Sequence, residues 1–347
     1  MRASLSKLTL NASRGSLAAL AGPVAAGRRT FATAHRLQAT YGFIGLGQMG
    51  YPMASNLRSK IQPSDDMIIH DVNSKILEQF QKEFSGVGNV KIADSVRDVA
   101  EQSNVVITVL PEPQHVQNVF QVMLKPQNGS ASAHHEDRLF IDCSTIDPKS
   151  SSQVANAVHS THQGKFVDAP MSGGVVGAKA GKLTFMLGAP DELIPRVSEV
   201  LDKMGKRVVH LGPQTSGLKG KLANNYLLAL NNVATAEAMN MGVKWGLDPN
   251  KLADMINTAT GKCWPSEINN PVPGVSPDAP ASRDYAGGFS TPMMLKDLRL
   301  ALQAAVESDI APLLGVQAKE IYTAVQADER CAGKDFSVVY RYIGGKE

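Results

Sequence analysis

The feature that most restricts the fold lies at residues 41–60, which read YGFIGLGQMGYPMASNLRSK. A short apolar run meets Gly45, Gly47 and Gly50, spaced G-x-G-x-x-G, and a helical pattern follows. A second apolar run, MIIHD, ends in an acid, Asp71, 21 residues after Gly50. Each glycine has a distinct physical duty: Gly45 permits a tight turn, Gly47 lets a ligand approach the backbone, and Gly50 lets the helix pack on the strand. The helix start then presents free N–H groups and the positive end of its dipole, a ready site for phosphate. Glycines alone would also serve plain turns. The strand before, the helix after and the acid at about 20 residues favour a dinucleotide pyrophosphate, with Leu46, Gln48 and Met49 completing the binding turn. Asp71 is placed to accept from the adenosine ribose hydroxyls and to repel a 2′-phosphate. Val72 and Asn73 supply no arginine to reverse this, and Lys75 is the one nearby cation, so the expected cofactor is NAD rather than NADP.

Further apolar runs follow at βαβ spacing: NVVITVL (104–110), RLFIDCS (138–144), KFVDAP (165–170), then KLTFML and RVVHLG. Alternation with helical stretches predicts a parallel doubly wound sheet with antiparallel additions late. Ligands in such sheets sit beyond the carboxyl ends of the strands. This puts Leu110, Pro111, Ser144 and Thr145 beside the cofactor. Pro111 and Pro113 are expected to end their strand, Pro113 as loop punctuation.

From about Gly212 the pattern turns helical, with stretches predicted over 219–245, 249–259, 292–308 and 312–327 and Asp248 as N-cap for Pro249. The expected fold class is α/β: a leader over 1–38, a Rossmann doubly wound sheet over 39–211, and an all-α C-terminal domain over 212–347. Segment 264–289, rich in Pro and Gly, reads as a long functional loop without regular structure. Trp264 and Phe289 are candidate walls of a substrate pocket, against plain core packing.

Two stretches carry candidate chemistry. In DAPMSGGVVGA (168–178), Ser172, Gly173 and Gly174 follow a strand end, and consecutive N–H groups in a glycine turn make an anion-binding concavity. No lysine or arginine lies inside the turn, so the anion would be small, such as a carboxylate; a plain surface loop is the alternative. In GKLANNYLLALNNVATAEAMN (220–240), Lys221 and Asn225 stand one helical turn apart on one face of a nearly uncharged helix. A helix-end lysine can simply snorkel to water. A buried one beside a substrate carboxylate can have its pKa brought towards working pH and move a proton.

The ordered set GFIGLGQMG, DCSTIDP, DAPMSGGVVGA, KLANN and GGFSTPMMLKDL resembles the β-hydroxyacid dehydrogenase family over about residues 41–343. The resemblance implies that Ser172, Gly173 and Gly174 bind a substrate carboxylate and that Lys221 is the catalytic lysine with Asn225 its companion. It implies that Leu110, Pro111 and Thr145 line the nicotinamide side, that Lys296 reaches the cofactor from the second domain, and that His115, at a position often Asn, contacts it too. GKCWPSEINNPVPGV (261–275) is similar to the branch acting on 3-hydroxyisobutyrate, which implies NAD-dependent oxidation to methylmalonate semialdehyde, in valine breakdown, with Trp264 in the substrate pocket. Relatives commonly approach the lysine through Gly-x-Gly-x-x-x-Lys; here Thr215 replaces the first glycine and Lys219 adds a second cation. Lys221 is chosen because Asn224 and Asn225 follow it; Lys219, about 200° away on the helix, should face elsewhere. The other readings are the same chemistry on tartronate, glyoxylate or succinic semialdehyde, and a non-catalytic dinucleotide-binding protein.

The chain carries 35 basic and 32 acidic residues, but the first 38 residues hold six of the basic ones and no acid. An Arg- and Ser-rich, acid-free leader fits a mitochondrial presequence, hence the matrix, with a secretory signal as the rival reading. The remainder is slightly acidic and offers no basic face for nucleic acid. No run is long enough to span a membrane. Cys143, Cys263 and Cys331 are too scattered for a disulfide framework or zinc, and His134 with His135 reads as a polar loop. The expected partners are a small hydroxy acid and further copies of the chain, as a dimer or tetramer like its relatives.

Overall fold

Among the described residues, nine strands build one sheet: β1 (Thr40–Ile44), β2 (Asp66–His70), β3 (Val90–Ile92), β4 (Val105–Thr108), β5 (Leu139–Asp142), β6 (Lys165–Asp168), β7 (Met171–Ser172), β8 (Leu183–Gly188) and β9 (Gly205–Gly212). This computed structural model describes residues 38–125 and 136–347. The leader up to Leu37 and the pair His134 and His135 lie outside the described residues.

Six strands run parallel in the order β3-β2-β1-β4-β5-β6. This is the doubly wound order, and its direction of winding reverses between β1 and β4, where such sheets bind nucleotides. β8 pairs antiparallel with β6 and β7, and β9 runs parallel to β8. Strict alternation buries both faces. Phe43, Ile69, Ile107, Ile141 and Val167 enter one core, while Ile44, Ile68, Val106, Phe140 and Phe166 enter the other. Their near-continuous apolar strands are what a parallel sheet covered on both faces demands.

After β9 the chain is helical, and residues 38–347 form one compact unit. The Ser216–Lys244 helix has 29 residues and would span about 43 Å at 1.5 Å per residue. Its Ala229, Ala236 and Met239 pack with Met294, Leu298, Tyr322 and Phe336 in a core of their own. Within that core Asn232 is fully buried, its amide donating to the Tyr322 hydroxyl and the Phe336 carbonyl, both at 2.9 Å. Asp248 caps the Pro249–Thr258 helix through the N–H groups of Asn250 and Lys251.

Several local expectations are corrected. β4 ends at Thr108, ahead of Pro111, and Pro113 opens the Pro113–Met123 helix, since its missing N–H and fixed φ suit a first turn. The stretch 264–289 is not wholly irregular, holding the short Trp264–Glu267 helix and a 3-10 turn at Pro280–Arg283. The long helix begins three residues before its expected start, at Ser216, because a carboxylate from the sheet holds its first turn.

Candidate active site

At the switch point the glycine turn is tightly built. Gly45 has φ +96°, and its N–H donates to the His70 carbonyl at 3.0 Å. A side chain at Gly45 would overlap the Val109 carbonyl oxygen, and one at Gly50 would overlap that of Gly45. Gly47 is different: a Cβ there would meet nothing within 4 Å, and Gly47 and Gln48 are exposed. The Gly50–Lys60 helix has no acid in its first turn and no side chain capping it. An exposed turn that leads into an uncapped helix start fits a dinucleotide pyrophosphate. Asp71 accepts from the Leu46 N–H at 2.6 Å and from the Asn73 N–H at 2.9 Å, so its charge is fixed at the rim of this turn.

The loops after β4 and β5 are tied to each other. Asp142, wholly buried at the end of β5, accepts from the Thr108 hydroxyl at 2.7 Å and the Ser144 N–H at 3.1 Å. The Ser144 hydroxyl in turn accepts from the Leu110 N–H at 2.9 Å, which ties the loop of Leu110 and Pro111 to that of Ser144 and Thr145. Burial pushes the Asp142 carboxyl up to about 6.

The turn at 172–174 leaves β7 with Gly173 at φ +133° and Gly174 at φ +59°, left-handed values that glycine alone adopts freely. The short Gly174–Lys179 helix follows.

Lys221 and Asn225 are both buried on one face of the long helix, whereas Lys219 is exposed. Burial lowers the Lys221 pKa; the Asp297 carboxylate acts against that shift, and the Lys296 ammonium adds to it. Asn225 donates from Nδ2 to Asp297 Oδ2 at 2.6 Å and accepts at Oδ1 from Asn224 at 3.0 Å. Its amide therefore serves the Asp297 carboxylate. Lys296, on the Thr291–Val306 helix, lies 3.4 Å from Asp297 Oδ1 and donates to the Thr145 carbonyl. One buried chain of contacts thus runs from the β5 loop through Lys296 and Asp297 to the helix face of Lys221.

Two further expected residues are solvent-exposed. His115 is exposed on the first turn of the Pro113–Met123 helix. Trp264 is 49% exposed, and its neighbour Cys263 sits 3.3 Å from the Thr235 hydroxyl. Thr235 lies fourteen residues beyond Lys221, about 21 Å along the helix axis. Phe289 lies two residues before the helix of Lys296, with its N–H on Asp335 Oδ2 at 2.8 Å and its ring edge-on to Phe336.

Of the buried acids, three that shape the site, Asp142, Asp168 and Asp297, escaped the sequence reading. Their signals were present. Asp142 and Asp168 each follow buried apolar residues at a strand end, and Asp297 falls on the face marked by Met294, Leu298 and Ala301, where an acid needs partners.

Residues 40–212 match the family model described as the NAD binding domain of 6-phosphogluconate dehydrogenase. Residues 215–343 match that described as NAD-binding of NADP-dependent 3-hydroxyisobutyrate dehydrogenase. With the switch-point turn described above, they define the protein as a dehydrogenase that uses a nicotinamide dinucleotide. Among curated proteins, the chain is 40% identical over 304 residues to the probable mitochondrial 3-hydroxyisobutyrate dehydrogenase of Dictyostelium discoideum, covering 88% of this chain and 90% of that one. It is likewise 40% identical over 306 residues to the human mitochondrial 3-hydroxyisobutyrate dehydrogenase, covering 88% and 87%. Among solved structures, the Mycobacterium tuberculosis 3-hydroxyisobutyrate dehydrogenase with L-serine superposes with a TM-score of 0.78 at 34% identity, covering 89% of this chain and all of that one. The chain belongs to the 3-hydroxyisobutyrate dehydrogenase family, among the β-hydroxyacid dehydrogenases. No helix of the described residues is long and apolar enough to cross a membrane.

Proposed function

We propose that the protein oxidises the primary alcohol of 3-hydroxyisobutyrate to methylmalonate semialdehyde with NAD, in valine breakdown, with Lys221 as the acid/base. The observation that carries this reading is the burial of Lys221, its pKa lowered, beside Asp297 and Asn225. A neutral amine there can take the hydroxyl proton, and the resulting ammonium is stabilised by the Asp297 carboxylate. The turn at 172–174 would hold the substrate carboxylate through its N–H groups and the Ser172 hydroxyl. Phe289 and Trp264 are the candidates to cover the methyl group.

The turn of Gly45, Leu46, Gly47, Gln48, Met49 and Gly50, with Asp71, Leu110, Pro111, Thr145, Lys296 and His115, would hold the cofactor. When bound, the nicotinamide ring supplies the hydride acceptor. The fixed charge of Asp71 supports NAD over NADP. The remaining proposals are a division at residues 39–211 and 212–347, a homodimer or homotetramer, and residence in the mitochondrial matrix after removal of the leader. The mitochondrial names of the relatives support the last.

The test is NADH formation by the purified protein with 3-hydroxyisobutyrate, 3-hydroxypropionate, glycerate, threonate and serine, each with NAD and NADP. A dominant kcat/KM for 3-hydroxyisobutyrate with NAD is expected. Preference for glycerate would move the protein to the semialdehyde reductases, and silence with NAD still bound would make it a non-catalytic reader.

A further inference from the structure

We propose that Asp168 is a positioning residue: it clamps the first turn of the Lys221 helix onto the strand end from which the 172–174 turn departs. This rests on the reading of Lys221 as the acid/base.

Asp168 is the last residue of β6 and has no exposed surface. Oδ1 accepts from the Thr215 N–H at 2.6 Å and Oδ2 from the Leu218 N–H at 2.9 Å. The helix begins at Ser216, and the Thr215 side chain makes no cap. A carboxylate from another element thus takes the place of the usual cap, satisfying one free N–H of the first turn and the N–H just before it. These bonds are charge-assisted and aligned with the helix dipole, which makes them stiffer than a neutral cap. Lys221 follows Leu218 by three residues, the next turn of the same helix.

The other end of the clamp is equally fixed. Only Ala169, Pro170 and Met171, all buried, separate Asp168 from Ser172. Ala169 donates to the Asp142 carbonyl at 2.8 Å, and the Pro170 carbonyl accepts from Met186 at 2.9 Å. The close approach also requires glycine on both sides. A Cβ on Gly188 would fall 2.5 Å from Asp168 Oδ1, and one on Gly217 would fall 2.9 Å from Oδ2. One carboxylate therefore joins the two parts that must share a substrate, the turn for its carboxylate and the helix of its proton acceptor. Reaction geometry tolerates little error: a displacement of about 1 Å can cost about 100-fold in rate.

The test compares Asp168→Asn, Lys221→Ala and the double variant, reading kcat, KM for the hydroxy acid, NAD binding by fluorescence, and Tm. The amide keeps the size but turns an N–H group towards one of its two donors. For Asp168→Asn the expected result is a kcat loss of roughly 30- to 100-fold, with KM within about threefold and NAD affinity within about twofold. In the Lys221→Ala background the same change should cost nothing further, since it acts through that lysine. Should Asp168→Asn not fold, Gly188→Ala displaces the same carboxylate from the sheet side and should give the same split. A folded Asp168→Asn or Gly188→Ala variant with wild-type kcat would overturn the clamp, as would a loss that adds fully to that of Lys221→Ala. Turnover retained by Lys221→Ala alone would instead overturn the acid/base reading, and the clamp with it.

Discussion

Asn225 donates to Asp297 across 2.6 Å inside the buried site, tying the helix that carries Lys221 to the helix that carries Lys296. The acid so held is the group that opposes the burial shift of Lys221, while Lys296 reinforces it. Oxidation needs a neutral Lys221, so kcat/KM should rise with pH through its apparent pKa, below the ordinary lysine value of about 10.4. Asp297→Asn removes the carboxylate that favours the ammonium, so the midpoint should move to lower pH, with kcat down about tenfold from the loosened Asn225. Lys296→Met removes a like charge and should move the midpoint upwards. The check is the pH profile of kcat/KM for the three proteins; shifts of the opposite sign would rule out Lys221 as the titrating base.

Gly47 and Gly50 should fail in different ways. A Cβ at Gly47 enters open space, whereas one at Gly50 overlaps the Gly45 carbonyl oxygen. Gly47→Val is therefore expected to keep its Tm within about 2 °C while NAD affinity falls at least about tenfold, because the side chain occupies the ligand's approach. Gly50→Ala should cost about 2 kcal/mol or more in stability, from backbone forced apart. Thermal unfolding with and without NAD separates the two; a destabilised Gly47→Val protein would contradict the open space.

That contrast marks what the sequence disclosed. Gly45 and Gly50 are legible because each obeys a backbone constraint that only glycine meets, Gly47 because it keeps the ligand's approach open, and parallel strands announce themselves as apolar runs such as NVVITVL. β3 and β7 were not foreseen, having three and two residues, too few for any period to register. Lys221 was separable from Lys219 by helical angle, and its burial against the exposure of Lys219 follows from that angle. The partners of Lys221 were not legible: Asp297 lies 76 positions further along the chain, and only the packing of two helices brings it to Asn225. Trp264 is the converse, a residue carried over by resemblance whose side chain the fold leaves half exposed.

Thr215 stands where relatives commonly have glycine, and the structure gives the reason for that glycine. Its φ is +77°, left-handed, which costs an L-residue roughly 1–2 kcal/mol and a β-branched one no less. Glycine adopts this conformation freely but loses about 0.5–1 kcal/mol of chain entropy on folding. Thr215→Gly should therefore stabilise the protein by about 0.5–1 kcal/mol, read as a Tm rise of roughly 2 °C. The donor to Asp168 is the backbone N–H and is retained, so kcat should stay within about twofold. A fall in Tm would show that the buried threonine side chain outweighs its backbone strain.

Asp142 and Asp168 are register partners at the ends of β5 and β6, and burial raises both carboxyls from 3.8 to about 6. A folded-state pKa above the unfolded one means that the folded protein binds protons more tightly between the two values. The stability so contributed is full below about pH 4 and is lost as pH rises through 6. At about 1.4 kcal/mol per unit, each site corresponds to roughly 3 kcal/mol at most, and less for the pair because each charge hinders the other. Carboxylates with the opposite shift, Asp66, Asp284 and Asp328, ionise below 3.8 when folded and lose their contribution only at more acid pH. Between pH 7.5 and 5 the buried pair should therefore dominate, and Tm should rise as the solution is acidified. Asp142→Asn should flatten that slope, since the amide still accepts from Thr108 and Ser144 but no longer titrates. Calorimetric scans of both proteins across this window decide the matter; a wild-type Tm that falls from pH 7.5 to 5 would mean that the two acids are ionised at no cost in the folded protein.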